Sequence, residues 1–132
     1  MSANVKDLKF TKEHEWVKTE GEIAIIGVSD YAQKELGDVV YVELPTVGDA
    51  VEKGDACANI ESVKAVSDIY SPVTGEIVEA NELLGDKPET VNKDPYGDGW
   101  VFKIKMDDSG QLADLMNAAA YEEYLKGILE EK

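Results

Sequence analysis

The chain of 132 residues carries 28 acidic and 13 basic side chains, a formal net charge of −15, and 43% of its residues are hydrophobic. This length and composition fit one globular domain with its own core, and the negative charge disfavours binding to nucleic acid. No apolar run is long enough to span a bilayer, and Cys57 is the only cysteine, so no internal disulfide can form.

The amino-terminal segment MSANVKDLKF has neither the apolar core of a signal peptide nor the arginine-rich pattern of an organellar presequence. We therefore expect an intracellular, bacterial-type cytoplasmic protein. A mature mitochondrial protein whose presequence has been removed would show the same pattern, and this alternative stays open. The strong negative charge suits partners with basic docking surfaces, and it suits a role in solubility equally well.

Short strand patterns alternate with turns over the first two thirds of the sequence. Apolar, β-branched and aromatic residues concentrate in runs that Gly, Pro or Ser bound. The predicted strands comprise residues 21–26, 39–44, 66–70 and 100–106. Between the first two, Ser29 and Asp30 form an amino-terminal cap and Gly37 a carboxy-terminal cap, which predicts a short helix.

The composition shifts toward Ala, Leu and Glu after residue 108. Apolar residues there recur at helical spacing, with a break near Asn117. The apolar positions are Leu112, Leu115, Met116, Tyr121, Tyr124, Leu125 and Ile128. We expect a helical segment at about 109–131 that covers one end of a strand-rich core at about 8–106, within a single domain of residues 1–132.

An internal repeat places Lys64 at a special point. Residues 45–51 and 72–78 share the pattern P-x-x-G-acid-x-V, which predicts the same tight turn into a strand at both places. The midpoint of the pair falls at Glu61 and Ser62, so a duplicated half-sheet would put Lys64 at or beside a hairpin tip. Lys64 is also the only cation between Lys53 and Lys87, and its small or polar neighbours leave its stem free to enter another protein's active site.

The segment around Lys64 resembles the lipoylation segment of the glycine cleavage system H proteins. The matching residues are ESVKA at 61–65 and SDIYSPVTGE at 67–76. Further blocks match the same family in the same order along nearly the whole chain. These blocks are HEWV at 14–17, GVSDYAQ at 27–33, LGDVVYVELP at 36–45 and NKDPYGDGW at 92–100.

The resemblance implies a mainly β fold, a hybrid barrel-sandwich of the lipoyl/biotinyl type with a short helix in its first half and carboxy-terminal helices. It implies that lipoate is attached to Lys64 through an amide. It further implies a monomeric, non-catalytic carrier that receives an aminomethyl group from glycine decarboxylase (P protein) and delivers it to aminomethyltransferase (T protein). Dihydrolipoyl dehydrogenase (L protein) would reoxidise the arm, and a lipoyl-attaching enzyme would install it.

The family is understood to dock the loaded arm against a cleft on its own surface. The resemblance suggests Glu15, Asp68 and Glu13 as acidic candidates for holding the amine of the arm. It suggests Val28 and Leu36 as apolar walls for the hydrocarbon chain.

Three other functions remain open. An H-like carrier that relays lipoate to other complexes would share the lysine segment. A biotinyl carrier usually has Met on both sides of the lysine, whereas Val63 and Ala65 flank Lys64 here. A hydrolase would need Cys57 and His14 to meet as a nucleophile and base, and no oxyanion motif accompanies them. One His and one Cys also do not make an ordinary zinc site.

Overall fold

The computed structural model describes residues 8–130. In this part of the chain there are ten strands, four α-helices and a 3-10 helix at Ser109–Asp114. The strands are β1 Lys9–Phe10, β2 Glu15–Glu20, β3 Ile23–Val28, β4 Val39–Glu43, β5 Ala50–Val51, β6 Ala56–Ser62, β7 Val66–Tyr70, β8 Gly75–Ala80, β9 Phe102–Met106 and β10 Met116–Asn117. The α-helices are α1 Asp30–Leu36, α2 Leu83–Asp86, α3 Thr90–Lys93 and α4 Ala118–Glu130.

The strands form two antiparallel sheets that share one core. The larger sheet has the order β10-β1-β2-β3-β9-β8-β5, and the smaller sheet has the order β4-β6-β7. Side chains from both sheets pack in a single apolar cluster. Its most deeply buried members include Ile26, Ile60, Ile69, Ile77, Phe102 and Ile104. The mainly β architecture with a short helix in its first half, expected from the sequence, is confirmed.

A second cluster buries the outer face of the larger sheet beneath α4. Phe10, Trp16 and Ile25 pack there against Tyr121 of the helix. Strand β3 is therefore covered on both faces, since its alternate residues Ala24 and Ile26 lie in the main core. This explains why its sequence is continuously apolar and does not alternate with polar residues.

The predicted elements around α1 agree closely with the structure. Helix α1 begins after Ser29, whose Oγ accepts the Ala32 N–H at 3.1 Å, and ends at Gly37, whose φ is 78°. The predicted strand at 21–26 is displaced to Ile23–Val28, because Gly21 adopts a φ of 62° and forms the turn before it. The strand predicted at 100–106 begins at Phe102.

The carboxy-terminal segment is less helical than its composition predicted. Residues 109–114 form the 3-10 helix, and Met116 and Asn117 form β10, which pairs with β1. A regular α-helix begins only at Ala118. The break expected near Asn117 is therefore a short strand, which composition alone does not distinguish from an irregular turn.

The two copies of the internal repeat pair with each other, but they do not use the same turn. Ala50 lies opposite Glu76 and Val51 opposite Gly75, so both copies lead into strands. Gly48 adopts a φ of 98°, whereas Gly75 lies within β8, where an added Cβ would collide with the carbonyl oxygen of Lys105. The expectation of one turn used twice was wrong, because the two glycines are required for different reasons.

The packing of Trp16 on Gly27 gives a stability prediction. These residues are paired across β2 and β3, and a Cβ at Gly27 would lie 2.6 Å from three indole atoms. The indole is held in place because its Nε1 donates to the Pro95 carbonyl at 2.8 Å. Gly27→Ala should therefore lower the free energy of unfolding by about 1–3 kcal/mol, measured by urea denaturation with tryptophan fluorescence.

Gly85→Ala is the matched control for this substitution. Gly85 lies in α2, and an added Cβ there meets no atom within 4 Å. Alanine is the better helix former, so this change should leave stability unchanged or raise it by about 0.5–1 kcal/mol. Equal losses from both substitutions would contradict the proposed packing conflict.

Candidate functional site

Lys64 lies at the tip of the hairpin that joins β6 to β7, and its side chain is exposed. Ser62 organises the tip. Its backbone N–H donates to the Ala65 carbonyl at 2.8 Å, and its Oγ accepts the N–H groups of Lys64 and Ala65 at 3.2 and 3.1 Å. A hydroxyl that binds the backbone of its own turn fixes that turn. The placement of Lys64 at a hairpin tip agrees with the prediction from the repeat.

The hairpin tip rests on the connection between α1 and β4. The Val63 N–H donates to the Asp38 carbonyl at 3.0 Å. The stem of Lys64 lies over Gly37, where an added Cβ would be 3.3 Å from the lysine Cε. The positive φ of 78° at the end of α1 favours glycine at this position, whereas the contact with the flexible lysine stem would cost only a small shift of that side chain.

Asn92 clamps this connection from the other side. Its Nδ2 donates to the Gly37 carbonyl at 2.8 Å and to Gln33 Oε1 at 3.0 Å, and its Oδ1 accepts the Val39 N–H at 2.9 Å. Asn92 begins the last motif of the resemblance, but its role was not predicted. Only the fold shows that a residue on α3 fixes the support of Lys64.

A cleft of about 300 Å³ runs between α1 and the edge strand β7, from beside Lys64 to the start of β2. All five residues suggested as arm-docking candidates line it, although they come from four separate segments. They are Glu13, Glu15, Val28, Leu36 and Asp68. The cleft is also lined by His14, Tyr31, Ala32, Glu35, Ile60, Ala65, Val66, Ser67 and Ile69.

Glu15 is the buried carboxylate of the cleft, with 2% of its surface exposed. The Thr11 hydroxyl donates to Oε1 at 2.7 Å, and the backbone N–H of Tyr70, at the end of β7, donates to Oε2 at 3.1 Å. Burial raises the pKa of Glu15 from 4.5 to about 7, although both hydrogen bonds act in the opposite direction. A cation that entered the cleft would relieve this burial penalty.

His14 is fixed by a residue of α4 that the sequence did not suggest for the site. Its Nδ1 lies 2.8 Å from the Tyr121 hydroxyl, which lies 2.7 Å from Ser29 Oγ. The backbone of His14 has a φ of 71°, in the left-handed region, so the chain bends sharply just before Glu15.

The hydrogen bonds of this group define the tautomer of His14. Ser29 is fully buried and its Oγ already accepts the Ala32 N–H, so its proton needs an acceptor. If Ser29 donates to Tyr121 and Tyr121 donates to Nδ1 of His14, every group is satisfied. The reverse direction leaves the serine proton without an acceptor. The first direction favours the His14 tautomer with its proton on Nε2, and burial lowers the pKa of the ring, which favours its neutral form.

The remaining carboxylates of the cleft are less enclosed. Asp68 is exposed on β7 and lies opposite Asn59 of β6. Glu13 is exposed in the turn before β2, where its N–H donates to Thr11 Oγ1 at 3.2 Å. All three carboxylates line the cleft, but only Glu15 is buried.

The structure does not bring Cys57 and His14 together as a nucleophile and base. The two residues line different clefts, and the Cys57 thiol points to the Ile69 carbonyl at 3.7 Å. Burial raises the pKa of Cys57 to about 12, which disfavours the reactive thiolate. The hydrolase alternative thus loses its nucleophile.

Two other kinds of site are missing from residues 8–130. No three His, Cys, Asp or Glu side chains in this range are grouped so that they could hold a metal ion. Within the same residues, no helix has the length and apolar character needed to cross a membrane.

Comparison with known proteins gives one consistent result. The family model described as "Glycine cleavage H-protein" matches residues 8–128. The chain is 57% identical over 121 residues to the glycine cleavage system H protein of Thermus thermophilus, covering 92% of this chain and 94% of the relative. It is 58% identical over 123 residues to that of Idiomarina loihiensis, covering 92% and 95%.

A solved structure agrees with these sequence matches. The crystal structure of a glycine cleavage system H protein from Mycobacterium marinum superimposes with a TM-score of 0.84 at 35% sequence identity. The match covers 92% of this chain and 98% of that one. The family model, the sequence relatives and the solved structure agree with one another. The chain therefore belongs to the glycine cleavage H-protein family.

Proposed function

We propose that this chain is a lipoyl carrier of the glycine cleavage system and that lipoate is attached to Lys64. One observation carries the proposal: the exposed lysine at a fixed hairpin tip is adjacent to Ala65, which lines a cleft that also contains the buried carboxylate of Glu15. The tip lets the arm reach the active site of another protein. The cleft offers the arm a place on its own protein between visits.

Attachment needs the lysine nitrogen to act as a nucleophile. The neutral Nζ attacks the carbonyl carbon of a lipoyl group activated as an acyl adenylate. The amide C–N bond forms, the bond between the carbonyl carbon and the phosphate oxygen breaks, and AMP leaves with that electron pair. The nitrogen gives up its proton to a base of the attaching enzyme. Lysine amines are mostly protonated near neutral pH, so this chain contributes exposure and position, and the enzyme contributes the base.

When attached, the lipoyl disulfide supplies the chemistry of a group carrier: it accepts the aminomethyl group left by glycine decarboxylase, for transfer by aminomethyltransferase and reoxidation by dihydrolipoyl dehydrogenase. This chain has no catalytic step of its own in the proposal. Its residues display the arm to three enzymes and hold the cargo between them.

Glu15 is the proposed partner of the cargo amine. It lines the cleft and is buried, and a carboxylate in such a low-dielectric site binds a cation through a charge-assisted hydrogen bond. Asp68 and Glu13 would add negative potential in the cleft, and Val28 and Leu36 would contact the hydrocarbon part of the arm. Neutral His14 adds no positive charge that would repel the amine.

Lys64→Arg tests the attachment site. We expect the wild type, incubated with lipoate, ATP and an active lipoate ligase, to gain one lipoyl increment by intact-mass measurement. Arginine keeps the charge but offers no amine nucleophile, so the variant should gain none. The control Lys87→Arg alters another exposed lysine and should be modified like the wild type. A wild type that stays unmodified beside an active ligase would disprove the proposed function.

Glu15→Gln tests the docking role. The variant should accept lipoate normally, but the methylamine-loaded form should release its amine about tenfold faster, because a hydrogen bond to a charged group is lost. Release is followed by mass spectrometry of the loaded protein. Glu76→Gln removes an exposed carboxylate from β8 and should not alter the rate. If the Glu15 variant released at the wild-type rate, Glu15 would have no docking role.

The raised pKa of Glu15 also predicts a pH dependence of stability. Burial raises this pKa from 4.5 to about 7, so the folded protein holds the proton more tightly than the unfolded chain. This contribution is fully present below about pH 4.5 and is lost as the pH rises through about 7. The unfolding free energy of the wild type should fall relative to that of Glu15→Gln by about 3 kcal/mol between about pH 4 and about pH 8.

Urea denaturation of both proteins across this pH range measures the difference. All other carboxylates are shared by the two proteins, so their contributions cancel in the comparison. Parallel stability profiles would show that the Glu15 carboxyl titrates equally in the folded and unfolded chains.

A further inference from the structure

A bulge in β4 exposes two large apolar side chains beside the hairpin. In a regular strand with one buried face, alternate residues point outward. In β4, Val39 and Val42 are buried, while Val40 and Tyr41 between them are 53% and 50% exposed. Val39 pairs with Ser62 and Tyr41 with Glu61, so Val40 is the extra residue of the bulge. The bulge therefore leaves Val39 and Val42 in the core while Val40 and Tyr41 both face solvent.

These two side chains lie beside two more at the hairpin. Val63 and Val66 flank the turn that carries Lys64 and are 69% and 65% exposed. Tyr41, Glu61 and Val66 form one cross-strand row on the outer face of the smaller sheet. We call Val40, Tyr41, Val63 and Val66 the collar. Among the described residues, the collar holds four of the six large apolar side chains that are exposed.

Exposed apolar side chains that cluster at a functional residue mark an interaction surface. We propose that the collar is the surface by which the lipoyl-attaching enzyme recognises this chain. The inference rests on the proposed function, because it requires Lys64 to be the attachment site. The inference adds which residues beside the lysine are recognised and which partner recognises them.

The short length of the lysine side chain distinguishes the attaching enzyme from the other enzymes that act on the arm. The attaching enzyme must bring Nζ itself to its acyl adenylate, and a lysine stem has only four carbons. The enzyme surface must therefore close on the residues that surround the stem. Enzymes that act on the far end of an attached arm work at a greater distance from the hairpin. Only the attaching enzyme is forced into contact with the collar.

Charge gives the second part of the partner's chemistry. Carboxylates surround the collar at Asp38, Glu43, Glu61 and Asp68, and the chain has a net charge of −15. The matching surface has an apolar centre, which packs on the collar, and a basic rim. A second copy of this chain is a poor fit, because two such acidic surfaces repel and four side chains bury too little area for a stable dimer.

Ligation kinetics test the proposal on the unmodified protein. Initial rates of lipoylation by a purified lipoate ligase are measured by intact mass over a range of carrier concentrations. Val66→Ser should raise KM about tenfold, the effect of losing one apolar anchor at an interface, and Tyr41→Ser with Val66→Ser should raise it further. Added salt should raise KM for the wild type, since the rim contacts are electrostatic.

Val47→Ser is the matched control. Val47 is 57% exposed but lies in the turn before β5, at an edge of the other sheet. The Val47→Ser protein should be lipoylated with the wild-type KM. All substituted residues are exposed, so urea denaturation should show unchanged stability and exclude misfolding as the cause.

The outcomes that overturn the proposal are distinct from failure of the proposed function. If the collar variants were lipoylated with the wild-type KM, the attaching enzyme would not recognise the collar. Self-association of the wild type in sedimentation, abolished by Val66→Ser, would assign the collar to a second copy. A wild type that no active ligase modifies would instead refute the attachment at Lys64.

Discussion

The hydrogen bond from the Val63 amide to the Asp38 carbonyl anchors the tip of the hairpin that carries Lys64 to the connection between α1 and β4. A two-stranded hairpin that projects alone is a poor platform, because such ribbons are only marginally stable in water. Here the tip rests on the end of α1, and Asn92 holds that end in turn. The position of Lys64 relative to the cleft and to the collar follows from this junction together with the pairing of β6 with β4.

The burial of the Glu15 carboxyl lowers the stability of the folded protein. A carboxyl with 2% exposure and a pKa near 7 opposes folding at neutral pH. An apolar residue at this place would carry no such penalty, although the Thr11 hydroxyl and the Tyr70 N–H would lose their acceptor. A carboxyl group that lines a cleft and is destabilised by burial is the arrangement expected of a binding residue.

The sequence predicted the local features of the site well. Caps at Ser29 and Gly37 defined α1, and the repeat placed Lys64 at a hairpin tip, because both depend on short-range backbone preferences. The family resemblance supplied the cleft residues. Contacts between distant segments were not predictable: Tyr121 meets His14 only because α4 folds back across β1 and β2. The bulge at Val40 was also missed, since 39–44 is apolar throughout and alternation gives no register there.

The hairpin serves two proposed purposes through two different surfaces of β7. Its free edge borders the cleft and supplies the Tyr70 N–H to Glu15, while its outer face carries Val66, a collar residue that also lines the cleft. An edge strand with unpaired backbone groups invites pairing with other chains. In this fold α1 stands across the cleft from that edge and the acids around it repel further copies. The same edge would remain open to the slender arm that we propose for Lys64, which needs no partner protein to reach it. Recognition before attachment and shelter after it would meet at Val66, which belongs to the collar and also lines the cleft. Tyr41 does not line the cleft and Glu15 does not belong to the collar, so substitutions at these two residues would separate the two roles.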